Sequence, residues 1–180
     1  MKTLHILVAL LCTLSIQAQT SQKILDDLSK KAKSFSTIEA SFTSHLVDQQ
    51  SDLDIEQKGQ IRTKGSKYVL TLEDLVVYND GETQWVYDKR SNECVVDYVE
   101  DLGEDALSPS SLFTIWENDF KHELAGETTV NGKVCYEIRL FPNKPQEKPF
   151  HTIIMYVDKA KMEIAKVIVK GREGDVTTYE

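Results

Sequence analysis

The sequence predicts a mainly β protein with a smaller α content, folded as one domain. Apolar and polar residues alternate with period two in several segments, as in residues 55–62, where Ile55, Gly59 and Ile61 are interleaved with charged or amide side chains. Such alternation is typical of antiparallel sheets with one buried and one solvated face. Asp80-Gly81, between two apolar runs, favours a tight β-hairpin turn. About 160 residues remain after an N-terminal leader, a length typical of a single domain.

The first predicted element is an amphipathic helix that begins near Ser21, which can cap it. Its apolar stripe follows three-and-four spacing: Ile24, Leu25, Leu28, Ala32 and Phe35. Strands are predicted at residues 40–47, 55–62, 67–72, 75–78, 83–87, 94–99, 120–124, 134–141, 150–157, 164–170 and 176–179.

A short, strongly apolar helix is predicted at residues 108–116, between the two groups of strands. Ser108 can cap it, and Pro109 suits its first turn. The helix then presents four bulky side chains: Leu112, Phe113, Ile115 and Trp116. A helix of this kind either covers the concave face of the sheet or packs beside the sheet.

Residues 1–18 have the pattern of a cleaved secretory signal peptide. Lys2 supplies a positive charge, residues 4–14 form an apolar run too short to span a bilayer, and Ala18 is the small residue expected at the cleavage site. Cys12 lies inside the apolar run, so a lipid anchor is not expected. The mature chain, residues 19–180, keeps 20 basic and 29 acidic residues, a net charge of −9. This acidic balance disfavours nucleic acid as a partner.

The chain carries little that is typical of an enzyme, a metal site or a cofactor site. His45, His122 and His151 fall on three separate predicted strands without short metal-ligand spacing, and no catalytic or phosphate-binding motif is found. Cys94 and Cys135 remain after removal of the leader. A disulfide between them and two free buried thiols are both open alternatives.

Four motifs follow one another along the chain: the first helix leading into Ile38-Glu39-Ala40-Ser41-Phe42-Thr43, the Gly59 strand before Lys67-Tyr68, the Asp80-Gly81 hairpin with Trp85 and Tyr87, and the 108–116 helix. Their order is typical of the outer-membrane lipoprotein carrier protein (LolA) family, which this chain resembles. The resemblance implies an open, curved antiparallel β-sheet, an incomplete β-barrel, covered by an N-terminal helix and a short helical lid. It also implies a monomeric periplasmic carrier that needs no cofactor and shuttles lipoproteins from the inner to the outer membrane.

The acyl chains of the cargo are expected to bind between sheet and lid. We expect an apolar cavity lined by Phe42, Leu46, Trp85 and Tyr87 and a lid that presents Leu112, Phe113, Ile115 and Trp116. The family commonly has an Arg-Pro pair whose Arg is associated with latching the lid, and here Arg62 or Lys64 would take that place. The partners implied are acylated lipoproteins, inner-membrane release machinery and an outer-membrane acceptor.

The C-terminal end of the fold and two alternative functions stay open at this point. The family continues into another strand beyond the position of Glu180, so this chain is either shortened or a smaller, divergent version. A lipid-sensing regulatory module of the same fold is the alternative function. A third possible function, a lipocalin-type scavenger or small-ligand enzyme, is weaker than the carrier and the sensing module because the chain has few polar residues that could form such a site.

Overall fold

The computed structural model describes residues 21–101, 114–117 and 119–180, so the predicted signal peptide lies outside the described residues. Helix α1 spans residues 21–34. The strands are β1 (Ile38–Asp48), β2 (Leu53–Lys64), β3 (Lys67–Leu72), β4 (Leu75–Asn79), β5 (Thr83–Asp88), β6 (Glu93–Tyr98), β7 (Phe120–Val130), β8 (Lys133–Pro142), β9 (Phe150–Asp158), β10 (Glu163–Gly171) and β11 (Val176–Tyr179). Short 3-10 turns lie at Val99–Asp101, Ile115–Glu117 and Pro145–Glu147. Within the described residues, no helix is both long enough and apolar enough to cross a bilayer.

All these strands form one antiparallel sheet, in the order β6-β5-β4-β3-β2-β1-β11-β10-β9-β8-β7. Within the described ranges, consecutive strands pair with each other except β6 and β7, and the last strand, β11, also pairs with β1, so that it lies between β1 and β10. Among the described residues no pairing joins β6 to β7, so the sheet stays open. The predicted mainly β fold with an open antiparallel sheet and an N-terminal helix is therefore confirmed.

The predicted strands lie close to the observed ones, and β7 shows the largest difference. This strand was predicted to end at Leu124 but continues to Val130. A register shift between Leu124 and Gly126 marks a bulge, and Gly126 has a φ of +145°. Glycine followed by polar residues resembles a turn in sequence, whereas here the bulge carries the strand onward.

The face of the sheet that α1 covers is called the inner face, and the opposite one the outer face. Because directly paired residues of antiparallel strands share a face, the registers assign every strand residue to one of the two. Under α1, the inner face of β8 and β9 forms a dry core in which Ile138, Leu140 and Val157 are fully buried. Leu25 and Leu28 of α1 complete this core.

The apolar stripe of α1 is shorter than predicted. Ile24, Leu25 and Leu28 are buried, but Phe35 keeps 53% of its surface exposed. Since the helix ends at residue 34, Phe35 no longer follows the helical spacing that would direct it to the sheet. The prediction that Phe35 belongs to the buried stripe is corrected accordingly.

Candidate functional site

The inner face of β1–β6 carries a set of apolar side chains that are only partly buried, beside buried residues such as Ile61 and Tyr68. We call this surface the inner cleft, and it presents Phe42, Leu46, Ile55, Leu70, Leu72, Val77, Val86 and Val95. Ile55 and Val95 keep 44% and 57% of their surface exposed, whereas Ile138 and Leu140 on the same face keep none. Contiguous exposed apolar surface of this kind is typical of binding sites.

Phe42 lies flat on β2 because a glycine faces it. Gly59 is the residue directly opposite Phe42, and a Cβ at Gly59 would lie 2.4 Å from Phe42 Cζ and 2.9 Å from Leu72 Cδ2. The ring of Tyr179 meets the Phe42 ring edge-on, with centroids 6.2 Å apart. A glycine inside a strand often marks such a close approach, and this is the sequence signal that locates the cluster.

A cavity of about 370 Å³ opens beside the inner cleft, at the C-terminal end of α1. Strand β11 pairs only with residues 44–47 of β1 and 167–170 of β10, so beyond it no described strand separates the start of β1 from the start of β10. The cavity lies in this gap between β1 and β10. It is lined mainly by apolar residues, among them Leu28, Ala32, Phe35, Ile38, Trp116 and Ile164. Its volume is within the range of small-molecule sites.

The segment that contains Trp116 is fixed to α1. Trp116 is 5% exposed, and its Nε1 donates to Ser29 Oγ at 2.7 Å and to the Leu25 carbonyl oxygen at 3.2 Å. Lys33 Nζ lies 2.6 Å from the Glu117 carboxylate, and the hydrogen bond from Lys33 lowers the pKa of Glu117. Ile115 packs partly buried against the same core. The predicted lid residues Leu112 and Phe113 lie outside the described residues.

Two of the predicted cavity residues lie on the other side of the sheet. Trp85 pairs with Tyr78 and Val96, and these positions alternate with the inner-face row of Val77, Val86 and Val95. Trp85 is therefore on the outer face. Tyr87 follows it at period two and donates its hydroxyl to Asn92 Oδ1 at 2.9 Å.

The expectation that Phe42, Leu46, Trp85 and Tyr87 face one space is corrected by these registers. Period two shows that Trp85 and Tyr87 share a face and that Phe42 and Leu46 share a face. It cannot show whether the two faces are the same, because that depends on the pairing across four intervening strand contacts. Phe42 and Leu46 alone remain on the inner face.

The two residues considered for a latch are also on the outer face. Arg62 pairs with Glu39 of β1, and its Nε lies 3.2 Å from Glu39 Oε2. Lys64 lies two residues further along β2 and shares that face. Because α1 and Trp116 are on the inner face, the contacts that hold residues 115–117 come from Ser29 and Lys33 instead. No sequence pattern marks Ser29 and Lys33 beyond their place on the predicted helix.

The described residues contain no group of three or more His, Cys, Asp or Glu that could hold a metal ion. His45 lies 2.6 Å from Asp54, and His122 lies within hydrogen-bond distance of Ser21 and Gln22. The cysteines are both free: Cys94 is exposed on β6, and Cys135 is buried on β8. Of the two alternatives for the cysteines, the structure therefore shows the unpaired one, with only one of the thiols buried.

Comparison with solved structures shows related folds. A DUF1329 family protein from Desulfovibrio piger superimposes with a TM-score of 0.52 at 12% identity, over 91% of this chain and 90% of the other. The Mycobacterium tuberculosis lipoprotein LppX gives 0.51 at 10% identity, over 88% and 92%. A LolA superfamily protein from Nitrosomonas europaea matches at a TM-score of 0.44 and 9% identity, over 88% and 90%. The first two likenesses show that this sheet and helix form a fold that other proteins share.

Sequence comparison is less informative. No family model matches the chain. An uncharacterized protein of Methanocaldococcus jannaschii is 21% identical over 159 residues, which is 86% of this chain and 46% of that protein. The chain thus spans about half the length of this curated relative.

Proposed function

We propose that this protein is an exported, periplasmic carrier that binds the acyl chains of lipoproteins in the inner cleft and shuttles them from the inner to the outer membrane. The observation that supports the proposal is the set of partly exposed apolar side chains on the inner face of β1–β6, beside a cavity of about 370 Å³. The resemblance of the motif order to the LolA family agrees with it. In this proposal Phe42 and Leu46 contact the acyl chains, and the segment with Leu112, Phe113, Ile115 and Trp116 forms the lid.

A partly covered cleft suits a carrier because the ligand must later leave. Each buried methylene contributes about 0.8 kcal/mol, so a fully enclosed long chain would be held too tightly for release. A surface that is apolar but open on one side limits this gain. Release to inner-membrane machinery or an outer-membrane acceptor then needs no nucleotide and no metal from this chain.

The binding step can be tested with the two tryptophans, which lie on opposite faces of the sheet. In Trp85→Phe the remaining tryptophan is Trp116, which lines the cavity and is excited selectively at long wavelength. Its emission should shift on adding a diacylated lipopeptide and stay unchanged with the unacylated twin. The matched variant Trp116→Phe leaves the outer-face Trp85 and should respond weakly. Identical responses to both peptides, or a response from Trp85 alone, would contradict the proposal.

The shuttling step needs a second measurement, which separates a carrier from a regulatory module. Protein loaded with a fluorescent lipopeptide is mixed with acceptor vesicles. A carrier should transfer the lipopeptide to the vesicles while the protein itself stays in solution. Retention of the lipopeptide throughout the assay would favour the lipid-sensing module of the same fold.

A further inference from the structure

A polar side chain, Tyr179, borders the inner cleft on the neighbouring strand β11. Tyr179 of β11 pairs with Ser44 of β1 and with Val167 of β10, which places its ring on the inner face. The edge-on contact with Phe42 holds the ring at the border between the inner cleft and the core under α1. A ligand that lies on Phe42 therefore also lies next to Tyr179.

The hydroxyl of Tyr179 has no hydrogen-bond partner within residues 21–101, 114–117 and 119–180. Burial alone raises the pKa of Tyr179, so the hydroxyl keeps its proton at neutral pH and can donate it. In the same ranges every fully buried side-chain oxygen or nitrogen has a partner. The Tyr179 hydroxyl oxygen therefore keeps accessible surface, on a side chain that is otherwise partly buried.

Two other hydroxyls on the inner face are already engaged. Tyr68 is 7% exposed and donates to Gln84 Oε1 at 2.7 Å. Ser44, which pairs with Tyr179, donates to the carbonyl oxygen of Gln57 at 3.4 Å. The Tyr179 hydroxyl, accessible and unengaged among the described residues, is available to a partner that arrives with a ligand.

We propose that the Tyr179 hydroxyl donates a hydrogen bond to the carbonyl oxygen of an acyl ester or amide whose hydrocarbon chain lies on Phe42 and Leu46. This inference rests on the proposed function and adds the part of the ligand that is recognised. Hydrocarbon has no acceptor, whereas the carbonyl at the head of an acyl chain has one. A single neutral hydrogen bond corresponds to about a two- to tenfold change in affinity. Tyr179 would thus fix the position of the ligand's hydrocarbon chain along the inner cleft and favour acyl over alkyl ligands.

The test uses two probes that differ only in this carbonyl, 1-monopalmitoylglycerol and its ether analogue 1-O-hexadecylglycerol. Neither probe carries a phosphate, so a preference cannot come from an anionic headgroup. The wild-type protein should bind the ester about two- to tenfold more tightly than the ether. Tyr179→Phe should bind both with the affinity that the wild type shows for the ether. The control Tyr68→Phe, which removes an engaged hydroxyl, should keep the preference for the ester.

A spectroscopic measurement keeps the test independent of stability. The ¹³Cζ resonance of Tyr179 should shift on adding the ester and move much less with the ether. Equal affinity of the wild type for both probes, or a preference that survives in Tyr179→Phe, overturns this inference and leaves the proposed function in place. Failure of the wild type to bind either probe contradicts both this inference and the proposed function.

Discussion

Two regions of the inner face carry the same kinds of apolar side chain but differ in how deeply these side chains are buried. On β8 and β9, Ile138, Leu140 and Met155 are at most 1% exposed beneath α1. On β2 and β6, Ile55 and Val95 keep 44% and 57% of their surface exposed. The alternation in sequence is similar in the two regions. What separates a folding core from a binding surface here is the coverage by another element.

The dimensions of α1 and of the sheet explain why α1 covers only part of the inner face. A helix of residues 21–34 is about 21 Å long and about 10 Å wide. A sheet with the eleven strands observed here is about 48 Å across, at about 4.8 Å per strand. One helix cannot cover such a sheet. The strands that α1 leaves partly exposed are those to which we assign the acyl chains.

The sharpest test of the comparison truncates the same residue type in each region. Leu140→Ala should lower the free energy of unfolding by about 3–5 kcal/mol because it opens a void in a fully buried site. Leu46→Ala, in the inner cleft, should lower it by only about 1–2 kcal/mol because Leu46 is partly exposed. Urea unfolding monitored by circular dichroism measures both values.

Ligand binding should rank the two variants in the opposite order. Leu46→Ala should weaken binding of the diacylated lipopeptide, and Leu140→Ala should leave it unchanged under conditions where the protein is folded. Equal losses of stability in the two variants would show that the inner cleft is part of the core, and the comparison would fail.

The second prediction concerns the close approach of Phe42 to Gly59. Gly59→Ala should lower the free energy of unfolding by about 1–3 kcal/mol because the new Cβ displaces the Phe42 ring. In a Phe42→Ala background the same substitution should lower the free energy of unfolding by clearly less, since the obstructing ring is gone. A double-mutant cycle measures this coupling. Additive effects would mean that the ring does not lie on Gly59.

Much of the fold could be predicted from the sequence because its signals are local. Period-two alternation and the Asp80-Gly81 turn predict strands and hairpins from neighbouring residues alone. The Asp80 carboxylate accepts hydrogen bonds from the backbone N–H groups of Glu82 and Thr83, which lower the pKa of Asp80, and Gly81 takes a φ of +96°. Such turns form from the residues inside them.

The candidate site was less predictable because its signals are not local. Trp85 and Phe42 are both aromatic residues on strands, and only the registers across the sheet separate their faces. Tyr179 resembles any strand tyrosine in sequence, since only the structure shows that its hydroxyl has no hydrogen-bond partner among the described residues. Trp116 was predicted as a lid residue from the local density of apolar side chains, whereas its bond to Ser29 depends on the docking of α1.

The smallest expected effect concerns the ion pair that joins α1 to residues 115–117. Lys33→Met should lower the free energy of unfolding at neutral pH by at most about 1 kcal/mol, because the Lys33 side chain is 61% exposed and solvent screens the pair. Pairing lowers the pKa of Glu117, so its contribution to stability is fully present above the ordinary pKa of a glutamate. That contribution is lost as the pH falls through the lowered pKa. The difference in stability between wild type and Lys33→Met should therefore shrink toward zero in acid.

A matched variant on the same helix separates this effect from a general change of charge. Lys31 pairs instead with Glu163 at the start of β10, at 2.8 Å. Lys31→Met removes the same charge from α1 without touching Glu117. Hydrogen exchange at Trp116 should then rise in Lys33→Met and stay near the wild-type rate in Lys31→Met. Equal exchange in the two variants would show that the Lys33–Glu117 pair does not hold Trp116 against α1, and that its bonds to Ser29 and Leu25 suffice.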